Sequence, residues 1–216
     1  MLPPLNDLIA LLCIDLVLCA GLLRLLSWRH GVTLWVKWAT ALVFVLLWCP
    51  VGVAHLPLVA YVRGISSDLS ISLVALAGIG MYQRLFGVRL ALASDRERNA
   101  TNLAVAVGAL FLYPLALGWG DWDAYRSGWG APGLWIALLV LSIACWGVGL
   151  RLLPALIAAG MLAWAAGLLE SANLWDYLID PWLAVGTIFQ SLKVIGCQLL
   201  ARFRGARAGG ASPSAG

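Results

Sequence analysis

Charge is what this sequence has least of. Asp, Glu, Lys and Arg make up only 11% of its 216 residues, against about 25% in an ordinary soluble domain. Hydrophobic residues reach 62% and the mean hydropathy is +0.93. Too few polar side chains exist to cover a water-facing surface, so water-soluble enzyme folds are excluded. Disorder is excluded by the same apolarity. Nucleic acid is excluded as a partner: the net charge of +4 and the pI near 9.0 reflect scarce acids, and the basic residues are spread along the chain, not gathered in a patch. The five cysteines, Cys13, Cys19, Cys49, Cys145 and Cys197, all lie in apolar segments without a CxxC pair, so they read as small packing residues. Histidine is rarer still, with two residues. No HExxH, phosphate-binding loop, GxSxG or dinucleotide fingerprint is present. The expectation is therefore no metal, no cofactor and no catalytic site.

Long apolar runs are what the chain does have. A membrane-crossing helix needs about 20 apolar residues. Seven segments meet or approach that length: Leu5–Leu23, Val32–Val53, Leu69–Met81 extended to Phe86, Asn102–Gly118, Gly133–Gly149, Leu152–Leu169 and Pro181–Leu200. None shows the alternation of about ten residues that a membrane barrel requires. The pattern predicts an all-α polytopic bundle over residues 1–201, with seven transmembrane helices, or six if the last lies at the interface. Residues 202–216 read as a disordered cytoplasmic tail rich in basic and small residues. The start, Met1-Leu-Pro-Pro-Leu, has no basic region and no cleavage site after the apolar run, so the first segment reads as a retained helix.

Orientation follows from the few charges. Lys and Arg concentrate in cytoplasmic loops. Alternate connections hold Arg24, Arg29 and Lys37, then Arg84, Arg89, Arg96 and Arg98, then Arg151, then Arg202, Arg204 and Arg207, eleven of the fourteen basic residues. The opposite connections hold Arg63 and Arg126. This predicts the N-terminus outside, the C-terminus inside, and a multi-pass protein of a bacterial-type inner membrane. Seven of the ten acids fall on the outer side: Asp7, Asp68, Asp121, Asp123, Glu170, Asp176 and Asp180.

Local signals refine the helices. Ser66-Ser67-Asp68 is placed to cap the third span, and Ser94-Asp-Arg-Glu97 reads as a capping box in which the Glu reaches back to the cap residue. Pro132 and Pro181 suit helix starts. Pro114 predicts a kink, and so does Pro50, unless Pro50-Val-Gly52 ends the second helix early and makes His55–Val62 an interfacial or re-entrant piece. Ala155, Ala159, Ala163 and Gly167 form a small-residue stripe. Such a stripe serves packing within the bundle or a homodimer contact. Of the twelve Trp, Trp48, Trp119, Trp122, Trp129, Trp135, Trp175 and Trp182 fall near the outer boundary, and Trp28, Trp35, Trp38 and Trp146 near the inner one. This distribution reads as an interfacial belt, or on the outer side as a platform for a lipid headgroup or a sugar.

Polar residues able to carry chemistry gather on the outer side. His55, Tyr61, Arg63 and Asp68 come from one loop, Asp121, Asp123, Tyr125 and Arg126 from another, and Glu170, Asn173, Asp176, Tyr177 and Asp180 from a third. Paired carboxylates bind divalent cations through oxygen or work as acid and base. They also form plain solvated rims, with Arg63–Asp68 as a local ion pair. Inside the bilayer stand Asp15, about 15 Å deep, and Lys193, about 18 Å deep from the same side, at about 1.5 Å per residue. Buried charges in a membrane usually face a partner, so the matched depths predict an Asp15–Lys193 pair unless Lys193 snorkels to the interface.

Two stretches resemble the membrane region of the lipoteichoic-acid-synthase-like phosphoglycerol and phosphoethanolamine transferases. Arg63-Gly-Ile-Ser-Ser-Asp68-Leu-Ser-Ile is similar to a Gly…Asp-Leu motif that opens an outer-leaflet helix, and Asn173-Leu-Trp-Asp176-Tyr177-Leu178 is similar to the segment before their last membrane helix. Together they cover about 20 residues, in the expected order. Those enzymes carry an extracytoplasmic sulfatase-like domain that has no counterpart in this chain, so the resemblance implies a membrane role without catalysis. Ala144-Cys145-Trp-Gly147 is similar to the cysteine motif of exosortase-type membrane proteases, but no His follows Cys145, which excludes that chemistry. The leading expectation is a non-enzymatic membrane protein. Its outer acidic and Trp-rich face would bind a lipid headgroup, an envelope glycan precursor or an envelope-biosynthesis partner. A small transporter using Asp15 and Lys193, or a membrane-embedded enzyme acting on a lipid-linked substrate, are the alternatives.

Overall fold

The structure, a computed structural model, describes residues 4–209. Among these, the helices are α1 (Leu5–His30), α2 (Leu34–Leu46), α3 (Leu58–Ser66), α4 (Ile71–Phe86), α5 (Asp95–Ala116), α6 (Pro132–Gly147), α7 (Leu152–Ala165), α8 (Leu174–Leu178) and α9 (Pro181–Gly209). Two short strands, β1 (Pro50–Val51) and β2 (Leu56–Pro57), pair antiparallel. Each of the seven expected apolar segments overlaps one of these helices. Three of these, Leu5–Arg29, Asp95–Ala116 and Pro181–Ala201, are long and apolar enough to cross a membrane. The other four, α2, α4, α6 and α7, are shorter. The 13 residues of α2 reach about 20 Å, against a hydrocarbon core of about 30 Å. Helix α9 continues past the expected end of its span to Gly209, and the rest of the expected disordered tail lies outside the described residues.

The second segment does not run to Val53. Helix α2 stops at Leu46, and the chain then turns back on itself, with Pro50 opposite Pro57 and the Val59 N–H donating to the Leu47 carbonyl at 2.9 Å. Proline without an N–H cannot continue a helical ladder. Gly52 makes the turn at φ +69°, and the Tyr61 hydroxyl locks it by donating to the Val51 carbonyl at 3.0 Å. Helix α3 follows directly from β2.

Side chains fix the starts of α4, α5 and α7, and two of these contacts differ from expectation. Ser70, not Ser66, Ser67 or Asp68, caps α4 by accepting from the Leu73 N–H at 3.2 Å. Asp68 is unavailable because its carboxylate is turned to Arg63. Ser94 does cap α5, accepting from the Glu97 N–H at 3.4 Å. The Glu97 carboxylate does not reach back, however. It accepts from the Arg151 and Leu152 N–H groups at 2.9–3.1 Å, satisfying the otherwise orphaned donors at the start of α7. A second helix end competes for this carboxylate, a contact that no local motif reports.

Helix α1 packs against α2, α3 and α4, while α5 packs against α9 and α7, and α7 bridges to α4, α6 and α8. One apolar core forms around Ile14, Leu47 and Val59, and a second around Leu112, Leu153 and Leu174. The outside of the helices is apolar as well: Leu110, Ile136 and Phe189 are each at least 60% exposed. That inside-and-outside apolarity is the pattern of helices surrounded by hydrocarbon. Within the expected small-residue stripe only Ala163 is buried, Ala155 is exposed, and Gly167 ends α7 at φ +62°. The tight approach is at Gly160, where an added Cβ would lie 2.7 Å from Leu178 Cδ2.

Candidate functional site

The polar residues of one bundle end are organised around Arg63, in the last turn of α3. Its Nε donates to Asp68 Oδ1 at 2.7 Å, Nη1 to Asp7 Oδ1 at 2.7 Å, and Nη2 to Glu170 Oε2 at 3.3 Å. Asp7 lies in the first turn of α1 and Glu170 in the loop after α7, so one guanidinium ties three separate segments together. The second Asp68 oxygen accepts from the Glu170 N–H at 3.3 Å. The hydrogen bond to Asp68, joined by that to Asp7, raises the Arg63 pKa against the opposing cost of burial. Arg63 and the Asp68 side chain are mostly buried, whereas Glu170 remains 83% exposed.

A second knot joins the loop before α6 to the loop before α8. Asp176 Oδ2 accepts from the Tyr125 hydroxyl at 2.8 Å and from Ser171 Oγ at 2.5 Å. Asn173 caps α8 through Oδ1 to the Trp175 N–H, and its Nδ2 donates to the Tyr125 carbonyl, both at 3.0 Å. The Trp175 indole donates to the Ala124 carbonyl and to Ser127 Oγ. Burial first, and then the hydrogen bond to Asp176, push the Tyr125 phenol up to about 12. Tyr177 is wholly buried beneath this knot and donates to the Leu169 and Ser171 carbonyls. Burial raises its pKa as well.

Asp180 joins two helix starts. Its Oδ1 accepts from the Leu183 N–H at 2.8 Å and caps α9. Its Oδ2 accepts from the Ser70 N–H at 2.9 Å and from Ser70 Oγ at 2.5 Å, at the start of α4. Helix N-termini carry partial positive charge, and an anion there is stabilised by it.

Between these groups lies an open cavity of about 1200 Å³. Arg63, Asp68, Glu170, Asp176 and Asp180 all line it, so five of the sequence-predicted residues converge. Asp7 and Ser171 complete its polar part, and Leu11, Trp48, Leu56, Tyr113 and Ile179 supply an apolar part. The remaining candidates lie elsewhere. His55 is exposed at the tip of the β1–β2 hairpin. Asp121 and Arg126 are exposed, and Asp123 spends an oxygen on the Tyr125 N–H at 2.9 Å. Asp7 was counted among the outer acids but not among the polar candidates for chemistry, while Trp48 belonged to the expected outer Trp platform. The signal for Asp7 was its place as the one acid before Asp15, at the outer end of the first segment.

Asp15 and Lys193 do not meet. Asp15 is completely buried, and its oxygens accept from Trp48 Nε1 at 2.6 Å and Cys19 Sγ at 3.3 Å. Lys193 is exposed on α9, whose neighbours are α5 and α4, and makes no ion pair among the described residues. Equal depth fixes height along the bundle but not which face of a helix turns inward, and α1 packs mainly on α4 and α2 whereas α9 packs mainly on α5.

At the cavity the Ser171 hydroxyl donates to Asp176 Oδ2 at 2.5 Å, and the same oxygen also accepts from the Tyr125 hydroxyl. Among the described residues no three His, Cys, Asp or Glu side chains converge to hold a metal ion. The site can bind and orient a ligand through ionic, hydrogen-bonding and apolar contacts. Among its described residues the chain is thus a helical bundle with three helices fit to cross a membrane and a polar cavity at one end. No protein-family model, curated protein or solved structure matches it.

Proposed function

We propose that this chain is a multi-pass inner-membrane protein of bacterial type, with seven membrane segments and its N-terminus outside. It acts without catalysis, by holding a bilayer amphiphile headgroup in the cavity at its outer end. The observation that carries this reading is the two-sided lining of the cavity: ionic groups around Arg63 on one part, Leu11, Trp48 and Ile179 on another. An amphiphile at the membrane boundary presents the same two chemistries. The segregation of basic residues to the opposite loops supports the orientation. The likeness of Arg63–Ile71 and Asn173–Leu178 to the membrane region of the lipoteichoic-acid-synthase-like transferases supports a headgroup-facing role, since both segments contribute to this cavity. A transport path through Asp15 and Lys193 has no support in their separate placements.

The test is native mass spectrometry of the chain extracted into lipid nanodiscs. The expected result is a retained amphiphile that is displaced by Ala60→Trp, which adds an indole at a residue lining the cavity. The same bound lipid population in both proteins would overturn the reading.

A further inference from the structure

We infer that the headgroup taken by the cavity is cationic, an ammonium group on an alkyl chain, and not a phosphate. The inference rests on the amphiphile reading above and adds the sign of the charge.

Five carboxylates line the cavity, those of Asp7, Asp68, Glu170, Asp176 and Asp180, against the single guanidinium of Arg63. Arg63 is not free to receive an anion: each of its three nitrogens already faces a carboxylate. A phosphate would have to displace one of these partners and then sit among the remaining acids, and like charges brought together in a partly desolvated site repel strongly. An ammonium meets the opposite situation. Among the described residues, Asp7 and Glu170 each keep one carboxylate oxygen without a hydrogen-bond partner, and Asp176 has only Oδ2 engaged. Trp48 and Tyr113 line the same cavity, and aromatic faces attract ammonium groups. Trp48 is held in place by its hydrogen bond to the buried Asp15. A bare divalent cation is a poorer fit, because no three ligating side chains converge among the described residues. Leu11, Leu56 and Ile179 would then cover the first part of the alkyl chain.

The experiment uses the full chain in dodecylmaltoside micelles and measures displacement of radiolabelled dodecyltrimethylammonium. The competitors are dodecylammonium, dodecyl phosphate and ethylammonium, the two dodecyl compounds compared at equal micellar mole fraction. Dodecylammonium should compete at least about tenfold better than dodecyl phosphate. The paired variant Asp7→Asn with Glu170→Gln should weaken the label by about tenfold, while Asp121→Asn with Asp123→Asn, outside the cavity, should leave it unchanged. Equal competition by dodecyl phosphate would overturn the cationic assignment and leave the amphiphile reading standing. Equal competition by ethylammonium would show a soluble amine site and overturn both. Absence of saturable binding by either dodecyl compound would also overturn both. The ligand series on the unaltered chain decides the matter whether or not the variants fold.

Discussion

The indole of Trp48 donates a 2.6 Å hydrogen bond to Asp15, a carboxylate with no exposed surface. Among the described residues the only other donor is the Cys19 thiol at 3.3 Å, and thiols donate weakly. Trp48→Phe therefore leaves a buried carboxylate nearly unsatisfied, and removing one partner of such a bond costs about 2 kcal/mol. Lys193→Met, at an exposed position away from Asp15, should stay within about 0.5 kcal/mol. Unfolding of the detergent-solubilised variants measures both. A larger loss at Lys193 than at Trp48 would contradict the arrangement.

Arg63 holds three acids, but not equally. Asp68 is mostly buried and lies 2.7 Å away, whereas Glu170 is 83% exposed and 3.3 Å away. Exposed ion pairs contribute about 0–1 kcal/mol, and solvent screens them. Double-mutant cycles should give a coupling of about 1–2 kcal/mol for Arg63→Gln with Asp68→Asn, and no more than about 0.5 kcal/mol for Arg63→Gln with Glu170→Gln. Raising the salt concentration should shrink the second coupling more than the first.

The long helices were legible because hydrocarbon imposes a strong rule on composition, and each apolar segment became a helix. Charge segregation grouped Arg63, Asp68, Asp176 and Asp180, which do line one cavity, but it grouped Asp121, Asp123 and Arg126 with them, and those lie elsewhere. What failed was whatever depends on the rotation of a helix about its axis or on contacts distant in sequence. Asp15 found Trp48 instead of Lys193, and Glu97 capped α7 instead of its own helix. Trp175, assigned by position to a belt, is buried and hydrogen-bonded to the Ala124–Ser127 turn. Apolar periodicity gives little help here, since these helices are apolar on their outer faces too.

Asp180 satisfies donors at two helix starts at once. Losing one cap costs about 1 kcal/mol, so Asp180→Ala, which strips both ends, should destabilise by about 2 kcal/mol or more. Asp180→Asn keeps one acceptor oxygen and should recover about half of that loss, read from the same unfolding measurements.

Gly128 is the most tightly enclosed glycine among the described residues. A Cβ there would overlap the Asn173 amide and come within 2.7 Å of Trp175 Cδ1, both held by hydrogen bonds to the Ala124–Ser127 turn. Overpacking of this kind costs about 1–3 kcal/mol. Gly196 in α9 faces open space, and replacing a helical glycine with alanine gains about 0.5–1 kcal/mol. Gly128→Ala and Gly196→Ala should therefore shift the unfolding midpoint in opposite directions.

Tyr125 gives the fold a dependence on alkaline pH. Its phenol is pushed from an ordinary value of 10.0 up to about 12, first by burial and then by the Asp176 carboxylate that accepts its proton bond. Between these values the folded protein holds a proton that the unfolded chain has released. The stabilisation is complete below 10 and is lost as pH rises through about 12. Tyr125→Phe removes the group from the balance, so the fall in unfolding temperature over this range should become shallower than in the unaltered protein. It should not vanish, because burial raises Tyr177 in the same direction. An unchanged slope in Tyr125→Phe would show that the Tyr125–Asp176 bond does not set the alkaline limit.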